Sequence, residues 1–181
     1  MNEYQVLVSQ IPEVVEQLRT KGADTAFAVL MFESPMARPG EDPVINLQYA
    51  IEDGVLGLEW VLLGPRNIED KDLVEDFITR AGHTVALCEM NNVRYLRVDD
   101  HDLAELGARI IREIYQQRPT GDLALLVNGF ECPSFRPAVL GNLDLIPEQS
   151  VEDWLLAEQL RNDDLFESQA RGTGDGQARL H

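Results

Sequence analysis

Cysteine and histidine are the side chains best equipped for chemistry, and this sequence holds few of them: Cys88, Cys132, His83, His101 and His181. A zinc site needs three or four ligands, and neither an HExxH run nor paired CxxC runs occur, so no metal is expected. A nucleophilic thiol must be held as thiolate by a positive neighbour. Cys88 lies between Leu87 and Glu89 in an apolar, strand-like run, with Thr84 and Ala86 on its own face, and core packing is its expected role. Cys132 stands beside Glu131 and four residues before Arg136, so loop packing or solvent exposure is expected of it. No serine sits in a GxSxG elbow, and the alternating glycines of 172–176 follow no strand and open no helix. Catalytic, metal and cofactor-binding residues are therefore predicted to be none, and the chain reads as a non-enzyme.

Two features suit binding instead. Arg94 and Arg97 share the strand-like run Val93–Val98, and a period of two sends them to opposite faces. Rim salt bridges to nearby acids are the plain expectation for them. The stretch 129–147 is rich in proline and glycine, holds Phe130, Phe135 and Arg136, and leads to Trp154 on an acidic helix. Aromatic residues and arginine are what binding hot spots favour. The structural alternative is that this segment wraps the sheet and fills it with Phe130, Phe135 and Leu145.

The bulk charge narrows the partner. Thirty-two Asp and Glu against 15 Lys and Arg give −17, a field that opposes nucleic-acid backbones and anionic membranes and favours a basic protein. Counted by fifties the acids number 7, 11 and 7, with 7 more in the last 31 residues, so the excess is spread over the surface. The N-terminus lacks a basic region followed by a long apolar run, and no segment reaches the ~18 apolar residues that span a bilayer. A cytoplasmic location is expected, with Cys88 and Cys132 reduced. Thirteen arginines against two lysines fit a GC-rich bacterial genome.

These residues need a scaffold, and the chain reads as one α+β domain over 1–160 with a disordered tail over 161–181. Ser9 is placed to cap a helix over 11–21 whose apolar stripe is Ile11, Val14, Val15 and Leu18. Thr25–Phe32 is an apolar strand. Val44–Ile51 and Val55–Leu63 flank Asp53-Gly54, a tight-turn dipeptide, and Leu56, Leu58, Trp60 and Leu62 form the face expected to meet helices. A helix follows with Asn67 as cap, the stripe Leu73, Val74, Phe77, Ile78 and Ala81, and Gly82 as its stop. Thr84–Glu89 and Val93–Val98 form a second hairpin. Asp99 or Asp100 caps a long helix ended by Pro119, Leu123–Val127 is a further strand, and 148–160 is the last helix. A mainly antiparallel sheet with helices largely on one face is the expected architecture.

The order β-α-β-β-α-β over 55–127 matches a split βαβ, ferredoxin-like arrangement. Over 11–117 the order α-β-β-β-α-β-β-α resembles that of the small acidic chaperones of bacterial type III secretion, and the compact acidic character is similar to that of toxin-immunity proteins. The resemblance lies in element order and charge, so it transfers no binding residues. It implies a protein-binding module for a basic partner. The alternative is a small-molecule or enzymatic site between the sheet and the 129–147 loop, built from Cys132, Arg136 and Glu59 or Glu89. A homodimer is open through Val93–Val98, unless that strand is interior to the sheet.

Overall fold

The computed structural model describes residues 2–90 and 92–137. Trp154, the expected helix over 148–160, the expected tail over 161–181 and residues 138–147 of the loop lie outside the described residues.

The described chain is an antiparallel sheet with helices on one face, the α+β class expected from sequence. Its strands are β1 (Asn2–Leu7), β2 (Phe27–Glu33), β3 (Val44–Glu52), β4 (Val55–Val61), β5 (Ala86–Met90), β6 (Val93–Val98), β7 (Asp122–Asn128) and β8 (Arg136–Pro137). They lie in the order β5-β6-β4-β3-β2-β7-β1-β8, every neighbouring pair antiparallel. Because β3 and β2 stand between β4 and β7, residues 55–127 do not close into a sheet of their own. Val93–Val98 is interior, flanked by β4 and β5. The N-terminal run, for which no element was expected, is β1, which pairs with both β7 and β8.

The helices are α1 (Ile11–Lys21), α2 (Pro65–Glu69), α3 (Lys71–Arg80) and α4 (Leu103–Arg109), the last running into a wider π turn over Ile110–Ile114. Pro12 suits the first turn of α1, where an N–H has no partner to lose. Ser9 is not its cap: the Gln10 side chain instead accepts the Leu7 N–H at 2.9 Å. The single helix expected from Asn67 is two, joined at Asp70, with Asn67 inside the first and fully buried. Its expected stripe holds at Val74 and Ile78, whereas Leu73 is exposed. Gly82 does end α3, at φ +91°, with the His83 N–H donating back to the Ile78 carbonyl at 3.2 Å.

One face of the sheet and these helices share a single core. Ala28, Leu30, Phe32, Ile45, Leu47, Leu58, Trp60, Leu96 and Leu125 meet Ile11, Val15 and Leu18 of α1, Val74 and Ile78 of α3 and Leu103 and Leu106 of α4. The Leu/Trp face of β4 thus points as expected. Polar groups inside this core have hydrogen-bond partners within it. Trp60 Nε1–H donates to the Asn67 carbonyl at 2.9 Å, the Asn67 amide donates to the Asn46 carbonyl at 2.7 Å, and the Tyr115 hydroxyl donates to Asp70 at 3.0 Å. Asp70 in turn holds Arg66 at 2.6 Å, and the Tyr115 ring stacks on Trp60. Burial followed by the Asp70 carboxylate raises the Tyr115 hydroxyl far above the ordinary phenol range. Gly107 lets the Tyr49 hydroxyl approach α4, because a Cβ there would lie 2.0 Å from that oxygen.

Candidate functional site

The other sheet face carries the most concentrated charge. Period-two alternation puts Gln48 and Glu52 of β3, Gly57 and Glu59 of β4, and Tyr95 and Arg97 of β6 on it, and the registers Gln48↔Glu59 and Glu59↔Arg97 align three of them in one row across the sheet. Gln48 and Glu59 are fully buried and Arg97 is 6% exposed. The Arg97 guanidinium donates to Glu59, pairs with Glu52 at 2.9 Å and Asp99 at 2.6 Å, and donates to the Val55 carbonyl at 3.0 Å. Gln48 Nε2 donates to the second Glu59 oxygen at 3.0 Å, and the Tyr95 hydroxyl donates to Glu52 at 3.4 Å. Gly57 makes room for the guanidinium: a Cβ there would lie 2.6 Å from Arg97 Cζ. One cation among three carboxylates leaves the cluster net negative. Beside it Phe27, Val29, Met31, Ala50 and Leu126 form a small apolar cluster.

Arg94 and Arg97 do face opposite ways. Arg94, on the side of Leu96 and Val98, is exposed and carries no ion pair among the described residues, whereas Arg97 anchors a buried network instead of a rim bridge. The clue in the sequence was a lone acid, Glu59, on a strand face otherwise carrying Val61 and Leu63, together with Gly57 two residues earlier. A buried carboxylate requires a partner, and glycine inside a strand signals close approach.

The segment after β7 resolves differently from a hot-spot loop. Phe130, Cys132 and Phe135 are buried in the main core, with Phe135 edge-on to Tyr4 and the Cys132 N–H donating to the Tyr4 hydroxyl at 3.3 Å. Ser134 ties the segment to α1 by donating to Glu13 at 2.7 Å. Phe130 and Phe135 thus pack the core, as in the wrapping alternative, and only Arg136 of this described stretch presents an exposed binding-type side chain, opposite Gln5 on β1. A cleft of about 370 Å³ opens there, lined by Gln5, Leu7, Gln10, Asp122, Ser134 and Arg136.

The enzymatic constellation is not assembled. Arg136 lies at the β8 side of the sheet, Glu89 on β5 at the opposite side, and Glu59 in the Arg97 network between them. Both cysteines are free. Burial pushes the Cys132 thiol up to about 11 and raises that of Cys88 despite the nearby Arg97. His83 and His101 meet across Asp100: His83 Nδ1 lies 3.2 Å from one carboxylate oxygen, and the other contacts His101 Nδ1 and accepts the His101 backbone N–H at 2.7 Å. That backbone bond, then the imidazoles, holds the Asp100 carboxyl below the usual range. Among the described residues no group of three or more His, Cys, Asp or Glu is placed to hold a metal ion, and no helix is long and apolar enough to cross a membrane.

About half of the described surface cations are engaged. Arg19, Arg38, Arg66, Lys71, Arg109 and Arg112 each pair with a carboxylate of the same chain. Asp24, Asp53, Asp76, Glu89, Asp122 and Glu131 are exposed and have no ion pair among the described residues. The described residues thus form an α+β domain with an antiparallel sheet, in a chain of acidic composition. No protein-family model matches the sequence, and no curated protein or solved structure is significantly similar to it.

Proposed function

We propose that the chain is a non-enzymatic, cytoplasmic protein-binding module that engages a basic protein partner, in the manner of immunity proteins and secretion chaperones. The observation that carries this reading is the surface charge balance. Seven of the twelve described cations are held by carboxylates of the same chain, while acids such as Asp24, Asp53, Glu89 and Asp122 stand exposed without an ion pair among the described residues, in a sequence whose net charge is −17. Such a surface accelerates encounter with a basic protein and selects against acidic ones. The raised thiols and the separation of Cys132, Arg136 and the strand carboxylates also support a binding role.

Affinity capture from native lysate at low and high salt tests it, with captured proteins identified by mass spectrometry and the purified pair titrated calorimetrically. One basic protein bound at low salt and released at high salt is the expected result, since exposed charges are screened beyond ~10 Å at 0.1 M salt. Absence of any specific protein under both conditions defeats the reading.

The cleft beside Arg136 supports a second reading, a small-molecule site. Its volume falls within the range of ligand pockets, roughly 300–1,000 Å³. A metabolite that raises the melting temperature of the native chain, and not of Arg136→Ala, would favour this reading over the first.

A further inference from the structure

The sheet ends differently on its two sides. At one end β8 carries Pro137, which has no N–H to offer another strand. At the other end β5 runs in unbroken register with β6 from Ala86↔Arg97 to Met90↔Val93, and no described strand covers its outer side. Folded proteins blunt such edges with proline, lysine, a bulge or a covering element. The β5 sequence Ala-Leu-Cys-Glu-Met contains neither proline nor lysine, its register contains no bulge, and Ala86, Leu87 and Glu89 are exposed, Leu87 at 56%. Among the described residues, then, no strand pairs with the outward-facing backbone donors and acceptors of β5.

We propose that the outer edge of β5 is a strand-addition site for an extended segment of the basic partner; this rests on the binding-module reading above. Main-chain hydrogen bonds supply affinity in this mode, and alternate side chains supply selectivity. Leu87 and Glu89 share the helix-bearing face, so the added strand places an apolar side chain beside Leu87 and a lysine or arginine beside Glu89. Glu89 has no ion pair among the described residues, and Arg94, its cross-strand neighbour, lies inboard. On the other face Ala86, Cys88 and Met90 receive small apolar side chains. Charge selects the occupant: a second copy would bring another −17 chain against this one, whereas a basic strand gains from the same field.

The test uses the full chain and two synthetic peptides of about ten residues, a length within the usual strand range. One alternates lysine with valine, and the other alternates glutamate with valine. Backbone amide hydrogen exchange is read with each peptide, and affinity is read by titration. The lysine peptide is expected to protect amides within 86–90, and its affinity should fall roughly tenfold or more between 0.05 and about 0.5 M salt, while the glutamate peptide leaves exchange unchanged. Leu87→Lys and Glu89→Lys are each expected to weaken the lysine peptide about tenfold, a change of ~1.4 kcal/mol, with melting temperatures unchanged; Glu16→Lys on α1, at an acid already paired with Arg19, is expected to change it less than twofold. Equal binding of both peptides, or no protection of 86–90 at millimolar lysine peptide, overturns the proposal. Concentration-dependent dimers that protect 86–90 without peptide assign the edge to a second copy and overturn it as well. Protection elsewhere, or a lysate-captured basic protein that binds Leu87→Lys normally, overturns the edge site while leaving the binding-module reading standing.

Discussion

The two faces of one sheet solve opposite problems. On the helix-bearing face Leu30, Ile45, Leu47, Trp60 and Leu125 are buried against α1, α3 and α4, and its few polar groups sit in short chains, Trp60 with Asn67 and Asn46, and Tyr115 with Asp70 and Arg66. On the other face a guanidinium, three carboxylates, an amide and a phenol share one connected network. The first face draws its stability from area removed from water, roughly 1.5–3 kcal/mol for each large side chain. The second offsets a desolvation penalty with hydrogen bonds, so its stability depends on completeness. An apolar core degrades gradually as atoms are removed, whereas a charged network fails when one partner goes.

The largest expected effect breaks the second face. Arg97→Ala leaves Glu59 buried without its cation and should lower the unfolding free energy by about 3–5 kcal/mol in urea melts, whereas Arg97→Met with Glu59→Leu should recover most of that loss. A double substitution no better than Arg97→Ala would show that the network is not the unit described. On the first face Leu30→Ala, at a fully buried position, should cost ~2–5 kcal/mol without any shift in the pH dependence of stability. A pH-dependent loss there would mean the faces are electrostatically coupled.

The next effect concerns Cys132. Its thiol is raised to about 11 in the folded protein from an ordinary 9.0, so the unfolded chain loses its proton first as pH rises. Stability should therefore fall between pH 9 and 11, by roughly 2 kcal/mol in all, and Cys132→Ala should remove that part of the alkaline slope. At pH 8 a thiol reagent should modify Cys132 only as fast as the protein opens. The smallest effect sharpens the contrast between neighbours on one helix: Leu73→Ala, at an exposed site, should change stability by less than about 0.5 kcal/mol, while Val74→Ala beside it should cost ~1–2 kcal/mol.

Local pattern carried much of the fold. The Asp53-Gly54 turn, with both φ positive, the stop at Gly82 and the alternation Leu56, Leu58, Trp60 were legible because each is decided by residues close in sequence. β1 was not legible, since six residues with little strand signature become a strand only when β7 and β8 supply both neighbours. The break between α2 and α3 was hidden for a similar reason. Asn67 reads as a cap, but its amide is used by Asn46, 21 residues away, and Asp70 is held by Arg66 and Tyr115. The candidate site divided along the same line: the opposed faces of Arg94 and Arg97 follow from period two, but the three acids around Arg97 come from β3, β4 and the turn after β6.

By itself, then, the sequence determined the α+β class, the hairpins and the net charge of −17, because backbone preference, apolar period and charge count are local or additive quantities. Only the tertiary structure decided that Arg97 is an internal anchor, that Phe130 and Phe135 are core, that Val93–Val98 is interior and that β5 has a described strand on one side only. Burial and strand neighbours depend on which distant segments arrive beside a residue, and that follows from the balance of packing and desolvation over the whole sheet.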